Sequence, residues 1–397
     1  MSAAVDVVVA GGGPAGVAAA LGCARRGLEV ALIDRARFPR DKPCGEGLLP
    51  AAVRALDRLG LLEGVRGQAL PIEGIGFAVA GGSAARARFC DAAGEPAYGL
   101  GIKRSVLDAL LLDAARRQPG ITVLEGVAAT GLLRAGDRVS GLETTAGPIH
   151  ARAVIAADGL RSPLRKRLGL DRPVRSASRI GLRVHLRVPV LPFQRSVFVL
   201  VAPRLEYYVT PVGVTEIQLA VLGTRAAFSE AGLGAPSLLA HLLAHPQLGP
   251  HLTGAEALDR PLGAGPFRQR ARSVVTDGAL LCGDAAGYVD AITGEGIGLA
   301  LETGQAAAGV IADLIARGEP LSARTLRPYV TAHAAIVRDA ERLTHLVLLL
   351  TRSPWLARRA VAALAHSPLL FRHLLQVQAG APLSSIPVRD WARLVSG

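Results

Sequence analysis

Apolar positions follow two rhythms along this chain, and the places where the rhythm changes outline its organisation. Val5 to Ala10 is a short apolar strand that runs directly into a glycine-rich turn, Gly11 to Gly16. The spacing then predicts a helix from Ala15 to Arg26, a second strand from Glu29 to Ile33, and Asp34 at that strand's end. A loop rich in Gly, Pro and charge, RARFPRDKPCGEGLLP, leads into a helix from Pro50 to Leu62. Ile72 to Ala97 reads as short strands and turns. Ser105 to Arg117 carries Leu and Ala on one helical face, and Ile121 to Leu124 is the next strand. Gly131 to Thr145 has hairpin character, and Ala153 to Ala157 is another apolar strand.

From Ser178 to Leu222 the pattern changes to alternating strands, IGLRVHLRV, RSVFVLVA, EYYVTPV and TEIQLAVL. Ser237 to Leu248 reads as a helix, Val274 to Leu281 as one buried strand, and Gly296 to Ile315 as a long helix. The tail, Leu321 to Gln378, is helical and broken at Pro354 and Pro368. These signals predict an α/β domain in three pieces, 1–70, 98–165 and 266–320. A mainly antiparallel β-sheet domain, 71–97 and 166–265, is inserted in it, and 321–397 forms a C-terminal helical region.

The opening turn carries a chemical meaning. Gly11 permits a tight turn out of the strand, Gly13 lets the backbone approach an anion with no Cβ in the way, and Gly16 lets the next helix pack on the sheet. Pro14 and Ala15 then start a helix whose unpaired N–H groups face that anion. Asp34, about twenty residues on, is placed to accept hydrogen bonds from a ribose diol. A dinucleotide site and an ordinary strand-to-helix turn both use such glycines.

Composition narrows the alternatives. Half of the 397 residues are hydrophobic, which is ample for large cores. The net charge of +13 comes almost wholly from arginine, since only Lys42, Lys103 and Lys166 are lysines. Apart from Arg161, Arg165, Lys166 and Arg167 the basic residues are scattered, and aromatics make up 4% of the chain, so nucleic acid is not expected as a partner. An anionic substrate or a membrane surface remains compatible with the charge. Cys23, Cys44, Cys90 and Cys282 are too widely spaced for a zinc site or a disulfide framework, and no metal is expected. No run of about eighteen apolar residues is free of charges. Asp6 and the glycine turn interrupt what would have to be a leader's apolar segment. The expected location is cytoplasmic, with peripheral membrane association left open.

Two further strand ends carry an aspartate: Val154-Ile155-Ala156-Ala157-Asp158-Gly159, and Leu280-Leu281-Cys282-Gly283-Asp284-Ala285-Ala286-Gly287. Ligands of open α/β sheets bind beyond such carboxyl ends. With the opening turn, these three motifs in this order resemble the flavoprotein superfamily of the geranylgeranyl reductases and p-hydroxybenzoate hydroxylase-type monooxygenases, over roughly Val5 to Gly304. The resemblance implies a Rossmann-like FAD-binding domain of the glutathione-reductase type, with NAD(P)H as reductant. It places Gly11, Gly13, Pro14, Ala15 and Gly16 on the FAD pyrophosphate, and Asp34 with Arg35 at the adenosine ribose. Arg104 reaches the cofactor, and Val127 meets the adenine through its backbone. Asp158 serves FAD and NAD(P)H, and Gly283 with Asp284 holds the ribityl chain. Gly294, Gly296 and Ile297 open a helix at the flavin's pyrimidine edge, where a helix N-terminus stabilises negative charge. A solvated Arg104–Asp108 pair on a helix is the plainer alternative.

Lys42-Pro43-Cys44-Gly45-Glu46-Gly47-Leu48 resembles the reductase branch's loop beside the flavin, and GDAAGYVDAITGEGIGLAL also leans that way. Cys44 is then either a functional thiol or a small residue packed against the ring. Against a prenyl substrate, Glu206-Tyr207-Tyr208-Val209-Thr210-Pro211 lacks the Trp and Phe of the prenyl reductases' motif, and halogenation is disfavoured because Trp355 and Trp391 stand alone. The reading is reduction of a C=C bond in a large apolar molecule (isoprenoid, quinone or polyketide lipid), with peroxyflavin hydroxylation as the alternative. Tyr207, Tyr208 and His185 are candidate substrate residues, and no general acid or base stands out.

Overall fold

The computed structural model describes residues 4–174 and 179–391. The expected strand start at Ser178 and the last six residues of the C-terminal region lie outside it. Five parallel strands form the centre of the first domain, in the order Ala279–Leu281, Gly147–Ala156, Val5–Ala10, Val30–Asp34 and Ile121–Glu125. The apolar runs of the four inner strands are buried on both faces, as parallel strands covered by helices or loops must be, while the edge strand Ile121–Glu125 is half-buried. Ala129–Ala135, Arg138–Thr144 and Gly147–Ala156 make an antiparallel meander leading into the central strand.

Helix Pro14–Ala24 is entirely buried and packs along helix Gly296–Ala316 through small residues. A Cβ on Gly304 would lie 2.2 Å from the Ala15 carbonyl oxygen, and one on Gly22 would lie 2.6 Å from Ala308 Cβ. The two backbones therefore meet more closely than ordinary side chains allow. Gly296–Ala316 is the one helix among the described residues long and apolar enough to span a membrane, and it is half buried in this core.

The second sheet has the order Glu256–Ala257, Arg179–Arg187, Glu216–Thr224, Leu205–Pro211, Ser196–Ala202, Gly74–Val79 and Ala84–Arg88. Its strands are antiparallel except where Gly74–Val79 runs parallel to Ser196–Ala202. Side chains alternate across it. Val184, Leu186, Tyr207, Val209, Ile217, Leu219 and Val221 form one core with helix Leu238–Ala244. Helices Arg327–Thr351, Pro354–His366 and Pro368–Gln378 complete the chain, the last two sharing a core with Gly74–Val79.

Two expected elements divide. Pro50–Leu62 becomes helices Pro50–Arg58 and Leu62–Arg66, because Gly60 between them takes φ +65° and ends the first. Val274–Leu281 becomes a hairpin of Val275–Thr276 and Ala279–Leu281, turned at Asp277-Gly278, where Gly278 has φ +78°. An Asp-Gly pair between apolar residues is itself a hairpin signal.

Candidate active site

The glycine turn, the two aspartate turns and the start of the long helix lie at the carboxyl edge of the parallel sheet. Gly11 has φ +116°, and a Cβ there would lie 2.3 Å from the Ala157 carbonyl oxygen. A Cβ on Gly16 would lie 1.8 Å from Gly11 O, so the helix seats directly on the turn. No side chain caps helix Pro14–Ala24 at Gly13, so its first N–H groups are left for a ligand. Asp34 is held by Gly12 N–H and Ala36 N–H, both at 2.8 Å. Arg35 points to solvent. Arg40, which sequence reasoning missed, reaches back instead. Its guanidinium lies 2.8 Å from Asp108 and 3.9 Å from Asp34, and 3.5 Å from where a Gly13 Cβ would be. Lys42 Nζ is 3.6 Å from Asp284 Oδ2. Two cations thus lie along the turn and the third motif, a charge pattern that fits a diphosphate.

Gly283 packs against Ala15, which joins the third motif to the first, and Asp284 stays half-buried at the edge. Val127 donates its N–H to the Asp34 carbonyl at 2.9 Å, so a ligand there can meet its carbonyl. Asp158 has both carboxylate oxygens engaged, by Ser162 Oγ at 2.5 Å and Leu164 N–H at 3.0 Å, and burial raises its pKa. In this structure it fixes helix Pro163–Arg167. Within the basic run after it, Arg165 is fully buried and binds Asp171, Gln269 and the Ala285 carbonyl, linking the second motif to the third.

Arg104 and Asp108 are a buried bidentate pair at 2.9 and 2.7 Å, not a solvated one. Burial alone would lower the Arg104 pKa, but Asp108 and the neighbouring Cys44 hold it above its ordinary range. The loop Cys44–Gly47 is pinned beside this pair. Glu46 has φ +57°, is 1% exposed, and accepts Arg104 N–H at 2.7 Å on Oε1. Its Oε2 lies 2.6 Å from His185 Nε2, while His185 Nδ1 lies 2.7 Å from Asp259 Oδ2. Arg183 extends the chain, binding Asp259 at 2.5 Å and pairing with Asp41. Burial pulls the His185 pKa down, and the carboxylates of Glu46 and Asp259 together more than reverse that, leaving it raised. Because the sequence separation is 139 residues, no local signal could have shown Glu46 and His185 as partners.

The sheet face carrying His185 turns towards the first domain. Arg179 binds Glu206 at 2.6 and 3.2 Å and Asp290 at 2.9 Å. Tyr208 O–H donates to the Ile292 carbonyl at 3.1 Å, just before the long helix, and burial keeps its phenol protonated. Tyr207 is a correction to the expected substrate set. It faces the opposite core, where its hydroxyl meets His241 Nε2 at 2.8 Å, because neighbours along a strand point to opposite faces. The structure brings His185 and Tyr208 to the site and leaves Tyr207 outside it. At the helix start, Gly294 has φ +74°, Gly296 packs against Tyr288, Ile297 is buried, and no side chain caps the N-terminus. Burial raises the Glu295 pKa to about 7.

Residues 4–344 match the FAD binding domain family. The chain belongs to that family. It is an FAD-dependent oxidoreductase, and the free helix N-termini, the Arg40 and Lys42 cations and the Asp34 and Asp284 carboxylates suit FAD. The menaquinone reductase of Mycobacterium tuberculosis (strain H37Rv) is 33% identical over 320 residues, covering 76% of this chain and 75% of that protein. Digeranylgeranylglycerophospholipid reductase 1 of Methanothermobacter thermautotrophicus is 29% identical over 337 residues, covering 82% and 81%. The 6-methylpretetramide 4-monooxygenase of Streptomyces rimosus is 33% identical over 170 residues, 42% of this chain and 41% of that one. A flavoprotein/dehydrogenase from Cytophaga hutchinsonii has the same fold, with TM-score 0.81, 24% identity, and coverage of 94% of this chain and 92% of the other.

Proposed function

We propose that the protein saturates a carbon–carbon double bond in the isoprenoid chain of a quinone or lipid, with NAD(P)H as electron source. One observation carries this reading. A match over 76% of the chain must run through residues 179–224 wherever it begins, so the likeness to a menaquinone reductase includes the substrate sheet. A match over 42% need not include it.

Saturation adds a hydride to one carbon and a proton to its neighbour; bound FAD, once reduced by NAD(P)H, would supply the hydride. The chain's own residues orient, exclude water and hold protons. Glu46 and His185 fix the Cys44–Gly47 loop between Arg104 and the substrate sheet. Tyr208 donates to the Ile292 carbonyl and Glu295 follows the same turn; desolvation raises the pKa of both, so Tyr208 stays protonated and Glu295 titrates at about 7.

The test is anaerobic turnover of FAD-loaded protein with menaquinone and with a digeranylgeranyl lipid, reductant being dithionite or NAD(P)H. The expected product gains two hydrogens per reduced bond. Product carrying oxygen from labelled dioxygen, with none reduced anaerobically, overturns the proposal in favour of hydroxylation.

A further inference from the structure

We propose that the corner between helices Arg327–Thr351 and Pro354–His366 docks on an anionic phospholipid surface. Leu349 is 55% exposed and Trp355 60% exposed, the most exposed large apolar side chains of the three C-terminal helices. They flank a short turn, with Arg352 and Arg358 exposed beside them. The Trp355 ring carries the Arg359 guanidinium 4.9 Å from its centroid. Tryptophan and leucine beside arginines suit the boundary between acyl chains and headgroups, where the ring sinks in and the guanidinium stays at the phosphates.

Charge selects the partner. No Asp or Glu occurs between Arg342 and Arg389, a stretch that includes Arg352, Arg358, Arg359 and Arg372. A protein partner would call for a broader apolar face than two side chains at a corner. An anionic bilayer requires only shallow insertion and basic flanks, each arginine near the surface strengthening partition roughly fivefold.

The corner also borders the proposed active site. Thr351, between Leu349 and Arg352, lies close enough to the Glu206 carboxylate to lower its pKa, and Glu206 sits on the inward face of that sheet, two residues from Tyr208. Docking here would hold that face close to a membrane in which a polyprenyl chain is dissolved. This purpose rests on the proposed substrate class, whereas docking itself rests on exposure and charge.

The test is cosedimentation of FAD-loaded, full-length protein with phosphatidylcholine vesicles, with and without phosphatidylglycerol. Binding to the anionic vesicles is expected, weakening with salt, with a blue shift of tryptophan emission. R352E/R358E should lower partition at least tenfold, and L349S/W355S should abolish the shift. The control R225E/R260E, which matches the charge change on exposed residues elsewhere, should bind as the parent does. Equal binding by R352E/R358E and the control overturns the proposal, as does parent protein that ignores phosphatidylglycerol, or self-association through the corner. Cosedimentation needs no turnover, so vesicle binding and the reductase reaction can fail independently of each other.

Discussion

Replacing His185 by Gln tests the pinned loop most directly. Glu46 is buried with one carboxylate oxygen on Arg104 N–H and the other on His185 Nε2 at 2.6 Å. Breaking one member of a buried ion pair costs about 3–5 kcal/mol, because the remaining charge has lost its partner. Gln keeps an N–H for one carboxylate, so the lower end applies, about 3 kcal/mol. The dependence on pH is the sharper signature. The folded-state pKa of His185 is raised, so its stabilisation is complete below the imidazole's ordinary value, about 6.5, and is lost as pH rises through the raised value. The parent's advantage over H185Q should be greatest between about pH 5 and 6 and shrink towards alkaline pH. Thermal unfolding of both FAD-loaded proteins across that range measures it, with flavin release recorded in parallel. An advantage that is constant or grows with pH would refute a charged His185 as the clamp.

Three further outcomes follow from the same structure. G304A should cost about 2–4 kcal/mol and lower FAD content on purification, because its methyl would press on the Ala15 carbonyl of the glycine-turn helix; chemical unfolding and flavin absorbance check both. Glu295, raised to about 7 from an ordinary 4.5, keeps a proton that the unfolded chain releases, so stability falls as pH climbs between those values. E295Q should therefore be more stable than the parent above pH 7, by at most about 3 kcal/mol, with the difference vanishing near pH 4, as urea titrations of FAD-free protein would show. Y208F should lower kcat/KM at least fivefold while Y207F leaves it unchanged, a contrast that steady-state kinetics would reveal.

How much the sequence determined depended on the range of each interaction. The strand, glycine turn and helix from Val5 onward, the aspartates at 34, 158 and 284, and the Arg104–Asp108 pair four residues apart are local. Their spacing fixes their geometry, so residue order alone revealed them. The burial that makes Arg104–Asp108 a structural pair was not local, since it depends on Arg40 and Glu46 closing over it. Glu46 and His185 lie 139 residues apart and meet only after the loop folds against the antiparallel sheet. Alternation required Tyr207 and Tyr208 to face opposite ways, but only the packing of helix Leu238–Ala244 on one side decided which was inward. The same holds for charge: the arginine excess is written in the composition, whereas folding buries Arg165 as a strut and leaves Arg352 and Arg358 in solvent. Local geometry is set by backbone sterics and short-range hydrogen bonds. Which side chain meets which across a hundred residues is set by the burial of whole faces, and only the assembled molecule decides that.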